Sequence, residues 1–339
     1  MQRDVYRIHK TGSIQNLKRE RESLDPPKQG EVQVEVKAIG LNFADVFSVY
    51  GLYSATPKES FIPGLEFAGK IAKIGGKSKI FKVGDPVFGV TRFGAYATHL
   101  NISTDTIFRL PKTWTMEDGA AFPVQALTAY YALHPLGNLK DGDTVLVHSA
   151  AGGVGIMAAH IAKKKKTTLI GLVGDPSKFE TLKKVGYDSF LVRSPSFFHD
   201  MKSILGEKKL NLVLECLGGC YFTDSYELLS PTGRLVTYGS ANFTPSYSYR
   251  NWFSLANKYL NRPKIDPLKM ISDNKSVLGF NLIWLWNEIP TLKNHFSDLM
   301  KLSLPKQTIG REFLFDELLD ALHTFQKGNT IGKVVVRIP

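Results

Sequence analysis

Residues 145–155 read Val-Leu-Val-His-Ser-Ala-Ala-Gly-Gly-Val-Gly and carry the strongest chemical signal in the chain. A short apolar stretch typical of a strand leads into a glycine-rich turn and then an apolar helix, the context of a dinucleotide-binding fingerprint. Gly152 lets backbone approach a pyrophosphate, and Gly155 lets the helix pack closely on the strand. The N–H groups at the helix N-terminus would hold the phosphates. Ala150 stands where the usual pattern has its first glycine, and a turn that binds nothing is the alternative.

The residues after the next strand indicate which nicotinamide cofactor fits. Asp175 lies 20 residues after Gly155, a spacing that suggests NAD, but it is better used as the N-cap of the following helix. Gly174 then leaves no carboxylate at the strand tip to repel a 2′-phosphate, and Lys178 and Arg193 could pair with one. We therefore expect NADPH rather than NAD, with surface solvation as the alternative role of the two cations.

The cysteine, histidine and serine patterns of the sequence give little support for a metal site or a catalytic nucleophile. Cys216 and Cys220 are the two cysteines, they flank a Gly-Gly turn, and no second cysteine pair accompanies them, so we expect buried or turn thiols. Eight histidines lie apart in the sequence without a paired carboxylate motif, and His148, at the end of a strand, is expected to be structural. No G-x-S-x-G elbow supports acyl transfer.

The elements that must position these residues follow two patterns. The first ~125 residues favour β-structure, since residues 31–39 alternate polar and apolar side chains as a half-buried strand does. From about residue 141, six short apolar strands alternate with helical stretches, which predicts a parallel doubly wound sheet. The predicted strands are 144–147, 169–173, 190–192, 210–215, 234–238 and 277–282, with a helix over 176–185 and a last strand over 333–338.

Composition limits the class of protein. The 339 residues are 43% hydrophobic and 22% charged, which suggests two globular domains and excludes a disordered chain. No apolar run reaches the roughly 18 residues that a membrane span needs, and no secretory signal is visible, so we expect a cytoplasmic protein. The net charge is +12, but the basic residues are scattered apart from 163–166, which suits a helix C-terminus better than nucleic acid.

Several stretches resemble one protein family, in family order over nearly the whole chain. They are 40–45 (G-L-N-F-A-D), 51–53, 63–69 (P-G-L-E-F-A-G), 83–85, 127–130 and 150–155. The chain resembles the medium-chain dehydrogenase/reductase superfamily in its zinc-free quinone oxidoreductase branch. Residues 137–139, 237–242 and 278–282 look like the vesicle amine transport protein subgroup, the synaptic vesicle membrane protein homologues.

The resemblance implies a Rossmann dinucleotide-binding domain over 125–285, inserted in a GroES-like β-rich catalytic domain formed by 1–124 and 286–339. It also implies a homodimer. At the positions where zinc-dependent members hold catalytic zinc, this chain has Asn42, Leu65 and, near the third, Val124. Zinc prefers thiolate, imidazole or carboxylate ligands, so no metal is expected.

The resemblance also implies the site residues. Asn42 can hydrogen-bond the ribose or an acceptor carbonyl, or instead be a turn residue that bonds its own backbone. Tyr53 matches an active-site tyrosine of related enoyl reductases, as proton donor or carbonyl anchor; a rim aromatic is the alternative. The aromatic stretch 243–253 is a further candidate pocket lining. The expected cofactor contacts are Asn42, Thr128, Ala151, Gly152, Gly153, Val154, Gly174, Lys178, Arg193, Tyr238, Gly239, Phe280 and Lys333.

Two functions remain open. The first is an NADPH-dependent oxidoreductase that transfers hydride to a quinone or an α,β-unsaturated carbonyl, because such acceptors are electrophilic enough to need no Lewis acid. The second is a dinucleotide-binding protein that handles lipid or contacts a membrane with little turnover. The resemblance to vesicle proteins and the basic charge, which favours an anionic bilayer surface, motivate the second.

Overall fold

The computed structural model describes residues 1–77, 80–244 and 252–339. Its chain divides into two compact units, and each has its own hydrophobic core. The first unit consists of residues 1–125, 283–296 and 306–339, and the second of residues 126–282 and 297–305.

Strands and α-helices of the described residues are numbered along the chain. The strands are β1 (Gln2–Ile8), β2 (Leu17–Ser23), β3 (Glu31–Gly40), β4 (Glu66–Ile74), β5 (Pro86–Val90), β6 (His99–Ser103), β7 (Ile107–Arg109), β8 (Thr144–His148), β9 (Thr168–Val173), β10 (Ser189–Val192), β11 (Leu212–Glu215), β12 (Arg234–Thr237), β13 (Ser276–Gly279), β14 (Ile309–Leu314) and β15 (Lys333–Arg337). The helices are α1 (Phe43–Tyr50), α2 (Met116–Ala121), α3 (Pro123–Tyr131), α4 (Gly153–Ala162), α5 (Phe179–Val185), α6 (Phe197–Leu205), α7 (Cys220–Leu228), α8 (Trp252–Leu260), α9 (Pro267–Asp273), α10 (Ile289–Lys301) and α11 (Leu318–Gln326).

The first unit is built on a mainly antiparallel sheet with the strand order β14-β15-β3-β4-β5-β7, and β6 also pairs with β3. β1 and β2 form a separate antiparallel pair. In β3 the side chains of Val32, Val34 and Val36 are fully buried. They join a core that includes residues of the terminal strand β15. The β-rich first part predicted from the sequence is confirmed.

The second unit is a six-stranded parallel sheet in the order β10-β9-β8-β11-β12-β13. The first strand of the unit is therefore central, and the chain reverses its direction of winding beside it. All residues of β8 and β11 are buried, as in a parallel sheet covered on both faces. The doubly wound sheet predicted from the sequence is confirmed.

The helical stretch after β9 begins and ends at the residues predicted as its caps. The Asp175 carboxylate accepts the Ser177 N–H at 2.8 Å, and Gly186 ends α5 in the left-handed region at a φ of 96°. The predicted helix 176–185 begins with a 3-10 turn, Pro176–Lys178, before α5. The predicted strand 277–282 is β13 in the structure, which begins one residue earlier and ends three residues earlier; a 3-10 turn follows from Leu282.

The compact units differ from the domain bounds 1–124, 125–285 and 286–339 at Gln125, which belongs to the first unit, and in two longer segments. Residues 283–285 belong to the first unit, where Ile283 packs in a buried cluster with Ala55 and Leu65. Residues 297–305 belong to the second unit. None of the helices in the described ranges is long and apolar enough to cross a membrane.

Candidate functional site

Asn42 begins α1, and its side chain lies in a buried polar network of the first unit. Its backbone N–H donates to Asp45 Oδ2 at 2.8 Å, which closes the first turn of the helix. Its side-chain Nδ2 donates to Glu66 Oε1 at 2.8 Å, and its Oδ1 accepts from Lys333 Nζ, also at 2.8 Å. The amide is therefore held on both its nitrogen and its oxygen.

Glu66 joins this network to three parts of the chain. Its carboxylate forms an ion pair with Lys333, and both side chains are fully buried. Its second oxygen accepts the Val124 N–H at 2.9 Å. A Cβ on Gly40 would clash with the Ala120 carbonyl and lie 2.8 Å from both Glu66 Oε1 and Lys333 Cε, so only glycine leaves room for the pair.

Asp45 is a second buried carboxyl group beside the pair. Burial raises its pKa to about 7, against the Asn42 N–H and the charge of Lys333, both of which lower it. Burial also lowers the pKa of Lys333, and the Glu66 carboxylate opposes that shift. One cation thus faces two carboxyl groups, one of which changes protonation near neutral pH.

The three positions that correspond to zinc ligands lie around Glu66. The Asn42 side chain and the Val124 backbone N–H both donate to the Glu66 carboxylate. Leu65 directly precedes Glu66 and lies in the apolar cluster on which Val124 packs. An amide and two aliphatic side chains do not fit zinc. Across the described parts of the chain, no three His, Cys, Asp or Glu side chains gather as a metal site would require.

Tyr53 lies on an apolar wall of the same unit. It packs, half-buried, against a cluster of Ala55, Leu65 and Ile283 that also contacts Phe93. Its phenol thus belongs to a surface that also carries two of the three zinc-ligand positions, Leu65 and Val124. The structure brings Tyr53 to these residues, and brings Asn42 to Lys333.

The glycine turn of the second unit connects β8 to α4 as the motif predicts. Gly152 is the N-cap, and no side chain caps the helix at that residue. A Cβ on Gly155 would clash with the Ala150 backbone, so this glycine lets the helix pack tightly on the turn. A helix N-terminus of this kind attracts anions, so we propose this turn as the place where a phosphate binds. Ala151, Gly153 and Val154 share this turn and first helical turn.

Two cations lie together at the tip of β9. Arg193 donates its backbone N–H to Val173 at 2.8 Å, and a Cβ on Gly174 would clash with the Arg193 guanidinium. Burial, followed by the charge of Arg193, lowers the pKa of Lys178. Asp175 points its carboxylate back to the helix as a cap. The Asp175 charge acts in the opposite direction and raises the Lys178 pKa. Two neighbouring cations at the tip of this strand are a charge pattern that suits a 2′-phosphate.

Aromatic side chains gather at the ends of β12 and β13. The Phe280 ring lies 5.0 Å from the Tyr131 ring and 6.0 Å from the Tyr238 ring. A Cβ on Gly239 would lie 3.1 Å from the Cys216 Cβ, and burial raises the pKa of the Cys216 thiol to about 11. Since the carboxyl ends of parallel strands share one sheet edge, the predicted contacts on β8, β9, β12 and β13 lie on the same edge.

For Thr128, Cys220 and part of the aromatic stretch, the structure gives the position and the exposure of each. Thr128 is half-buried on α3. Cys220 is exposed and is the first residue of α7, as a turn thiol would be. Within the aromatic stretch 243–253, residues 245–251 lie outside the described residues, and Phe253 is 90% exposed.

Sequence reasoning missed Glu215, a buried carboxylate at the end of β11. It accepts the N–H groups of Leu217 and Gly218 and the Thr237 hydroxyl at 2.8 Å. Burial acts to raise its pKa, but these bonds and the nearby His148 hold it below its ordinary value. His148 is fully buried, as its expected structural role requires, and contacts the Ser225 hydroxyl at 3.0 Å. The signal that could have revealed Glu215 is an acidic residue at the end of an otherwise apolar strand.

Comparisons with known proteins agree with this architecture. The family model "Zinc-binding dehydrogenase" matches residues 153–292, and "Alcohol dehydrogenase GroES-like domain" matches residues 28–112. The synaptic vesicle membrane protein VAT-1 homolog of Rattus norvegicus is 32% identical over 91% of this chain and 77% of its own length. The Danio rerio homolog is 33% identical over 91% of this chain, which spans only 64% of that relative.

Solved structures show the same fold at full length. Escherichia coli quinone oxidoreductase complexed with NADPH superposes with a TM-score of 0.83 and 26% identity, covering 99% of this chain and 100% of that one. The CurK enoyl reductase superposes with a TM-score of 0.84 and 26% identity, covering 99% of both chains. The chain belongs to the medium-chain dehydrogenase/reductase superfamily, among the relatives of the VAT-1 homologues.

Proposed function

We propose that this protein is a zinc-independent, NADPH-dependent oxidoreductase that transfers hydride to a quinone or an α,β-unsaturated carbonyl. The observation that carries the proposal is the wall around Glu66. The positions for a Lewis acid hold an amide and two aliphatic side chains, and a phenol stands on the same apolar surface. Such a surface suits an acceptor that is already electrophilic.

The second unit supplies the cofactor-binding residues. The turn at Gly152 and Gly153 would hold the pyrophosphate, and Lys178 and Arg193 the 2′-phosphate. Tyr238, Gly239 and Phe280 would line the path toward the nicotinamide. When bound, NADPH supplies the hydride. The E. coli enzyme, which was solved with NADPH, supports this choice of cofactor.

The first unit supplies the residues that handle the acceptor. The apolar cluster around Leu65 excludes water from the reacting carbon, which favours transfer of hydride over its loss to solvent. Tyr53 donates a hydrogen bond or a proton to the acceptor oxygen, which gains negative charge as the hydride arrives. Asn42 keeps its amide in one orientation through Lys333 and Glu66.

The test measures NADPH consumption by the purified chain with menadione, phenanthrenequinone and an aliphatic enone, after elemental analysis for zinc. We expect turnover in protein without stoichiometric zinc, and no effect of a chelator. Turnover that needs about one tightly held zinc per chain would contradict the proposal, as would the absence of turnover with all three acceptors.

A second candidate function is peripheral contact with an anionic membrane and little catalysis. Besides the net charge of +12, it rests on the exposed apolar side chains of α8 and α9, where Phe253 is 90%, Leu268 74% and Ile271 72% exposed. The relatives named as vesicle membrane proteins are consistent with it. Co-sedimentation with phosphatidylserine vesicles but not phosphatidylcholine vesicles would favour this function if NADPH turnover is absent.

A homodimer is also expected for this protein. Light scattering of the purified chain would test it.

A further inference from the structure

Trp284 is a large aromatic side chain that is held at the surface of the first unit. It lies on the 3-10 turn Leu282–Glu288 and is 53% exposed. Its indole Nε1 donates to the Ser54 hydroxyl at 3.0 Å. Water would satisfy that donor equally well, so the bond chiefly fixes where the ring stands.

A cation holds the same ring. The Arg92 guanidinium lies over it, 5.2 Å from its centroid, within the range of a cation–π interaction. Arg92 is itself exposed and lies just before Phe93, which packs on the apolar wall around Leu65. Two side chains from separate segments thus fix the ring while about half of its surface remains open to solvent.

The chain neighbours of these residues place the ring beside the acceptor wall. Ser54 lies between Tyr53 and Ala55, and both of these belong to the apolar cluster. Trp284 itself follows Ile283, which is buried in that cluster. The indole therefore extends the wall that carries the Tyr53 phenol.

We propose that Trp284 is a specificity-determining residue that selects planar aromatic quinones over aliphatic enones as acceptors. This inference rests on the proposed function, because it names the substrate class of that site. An electron-poor quinone ring stacks favourably on an electron-rich indole, whereas a flexible aliphatic enone offers no ring face. A ring that is fixed before binding loses little conformational freedom when the acceptor arrives.

The test compares Trp284→Leu and Trp284→Phe with the unchanged protein, using phenanthrenequinone and 2-hexenal, an aliphatic α,β-unsaturated carbonyl. We expect Trp284→Leu to raise the KM for phenanthrenequinone about tenfold relative to the KM for 2-hexenal, with Trp284→Phe between the two. Trp286→Leu makes the same change two residues away on the same turn and should leave the ratio within about twofold.

A binding measurement separates this inference from the proposed function. Equilibrium dialysis of phenanthrenequinone against the protein with NADP⁺ needs no turnover, and Trp284→Leu should raise its Kd about tenfold. If no acceptor supports NADPH oxidation, the proposed function fails, but a weakened Kd still supports an aromatic site at Trp284. Equal changes in KM for both acceptors, or an unchanged Kd, would overturn the inference. Because Trp284 is exposed, we expect both variants to fold, which circular dichroism would verify.

Discussion

The ammonium group of Lys333 donates to the amide oxygen of Asn42 at 2.8 Å inside the first unit. Asn42 was predicted to touch the ribose or the acceptor, and Lys333 to touch the cofactor. In the structure Lys333 is fully buried and also paired with Glu66, while the Asn42 amide bonds both charged groups. We propose that Lys333 acts through Asn42, by fixing the orientation of its amide.

Removing the ammonium group from this network should destabilise the protein strongly. Lys333→Met keeps the length of the side chain but leaves the Glu66 carboxylate buried without its cation, which typically costs about 3–5 kcal/mol. Adding Glu66→Gln removes the unpaired charge, so the double variant should be more stable than Lys333→Met alone. Urea unfolding followed by circular dichroism measures the difference.

The exposed pair Lys293–Asp105 provides the control for this prediction. Lys293→Met should change the free energy of unfolding by at most about 1 kcal/mol, because solvent screens an exposed ion pair. If Lys333→Met cost no more than Lys293→Met, the buried pair would contribute nothing to folding.

Asp45 should make stability depend on pH. Its pKa is about 7 in the folded protein and 3.8 in its ordinary state, so between these values the folded state binds more protons than the unfolded state. Stability is therefore lost as the pH rises through this window, by at most about 1.4 kcal/mol per pH unit. Asp45→Asn removes this loss, so the variant should gain stability relative to the unchanged protein between pH 5 and pH 7.

Urea unfolding at pH 5, 6 and 7 tests this expectation, with Asp320→Asn as the matched control at an exposed aspartate. The groups facing Asp45 are Lys333, Glu66 and Tyr96, and all three are present in both variants. Parallel pH curves for Asp45→Asn and the unchanged protein would show that the carboxyl group is ionised throughout.

The sheet of the second unit could be predicted because its signals are local. Each strand is an apolar run of a few residues. The N-cap Asp175 and the C-cap Gly186 directly flank a single helical stretch, residues 176–185. The glycine turn could be recognised for the same reason, since strand, turn and helix N-terminus are consecutive.

The buried network could not be predicted, because its partners are distant in sequence. Glu66 and Lys333 are 267 residues apart, and each charge borders an apolar run. Such a charge signals that a buried partner exists, but neither periodicity nor composition shows which residue it is. Trp284 was missed for a related reason: its bond to Ser54 joins positions 230 residues apart.

Lys178 should distinguish NADPH from NADH. A charge-assisted contact with the 2′-phosphate is worth about 1.5–3 kcal/mol, so Lys178→Ala should weaken NADPH binding about tenfold or more. NADH has no such phosphate, and its affinity should remain almost unchanged. Fluorescence titration with both cofactors measures the two dissociation constants.

The exposed Lys184, in the last turn of α5, is the control for general charge. Lys184→Ala should leave the preference for NADPH intact. An equal loss for both cofactors in Lys178→Ala would refute the assignment of the 2′-phosphate, and so would an unchanged protein that prefers NADH.

The effect of removing the Tyr53 hydroxyl should depend on the negative charge that the acceptor oxygen develops. A reduced quinone is a stable phenolate that solvent can protonate, whereas an enone forms an enolate that needs a proton or a strong hydrogen bond. Help of that kind is typically worth about 10²–10⁴ in rate. Tyr53→Phe keeps the ring on the Leu65 wall but removes the hydroxyl. It should spare quinone reduction and depress enone reduction, mainly through kcat.

The ratio of the two rates is the decisive measurement, because a general loss of structure would lower both rates together. Asn42→Ala is the matched comparison, since it removes the amide that Glu66 and Lys333 hold and should weaken both reactions. If Tyr53→Phe left the ratio of enone to quinone rates unchanged, the phenol would be only part of the apolar wall. Proton delivery would then come from water, and the acceptor preference would depend on the shape of that wall alone.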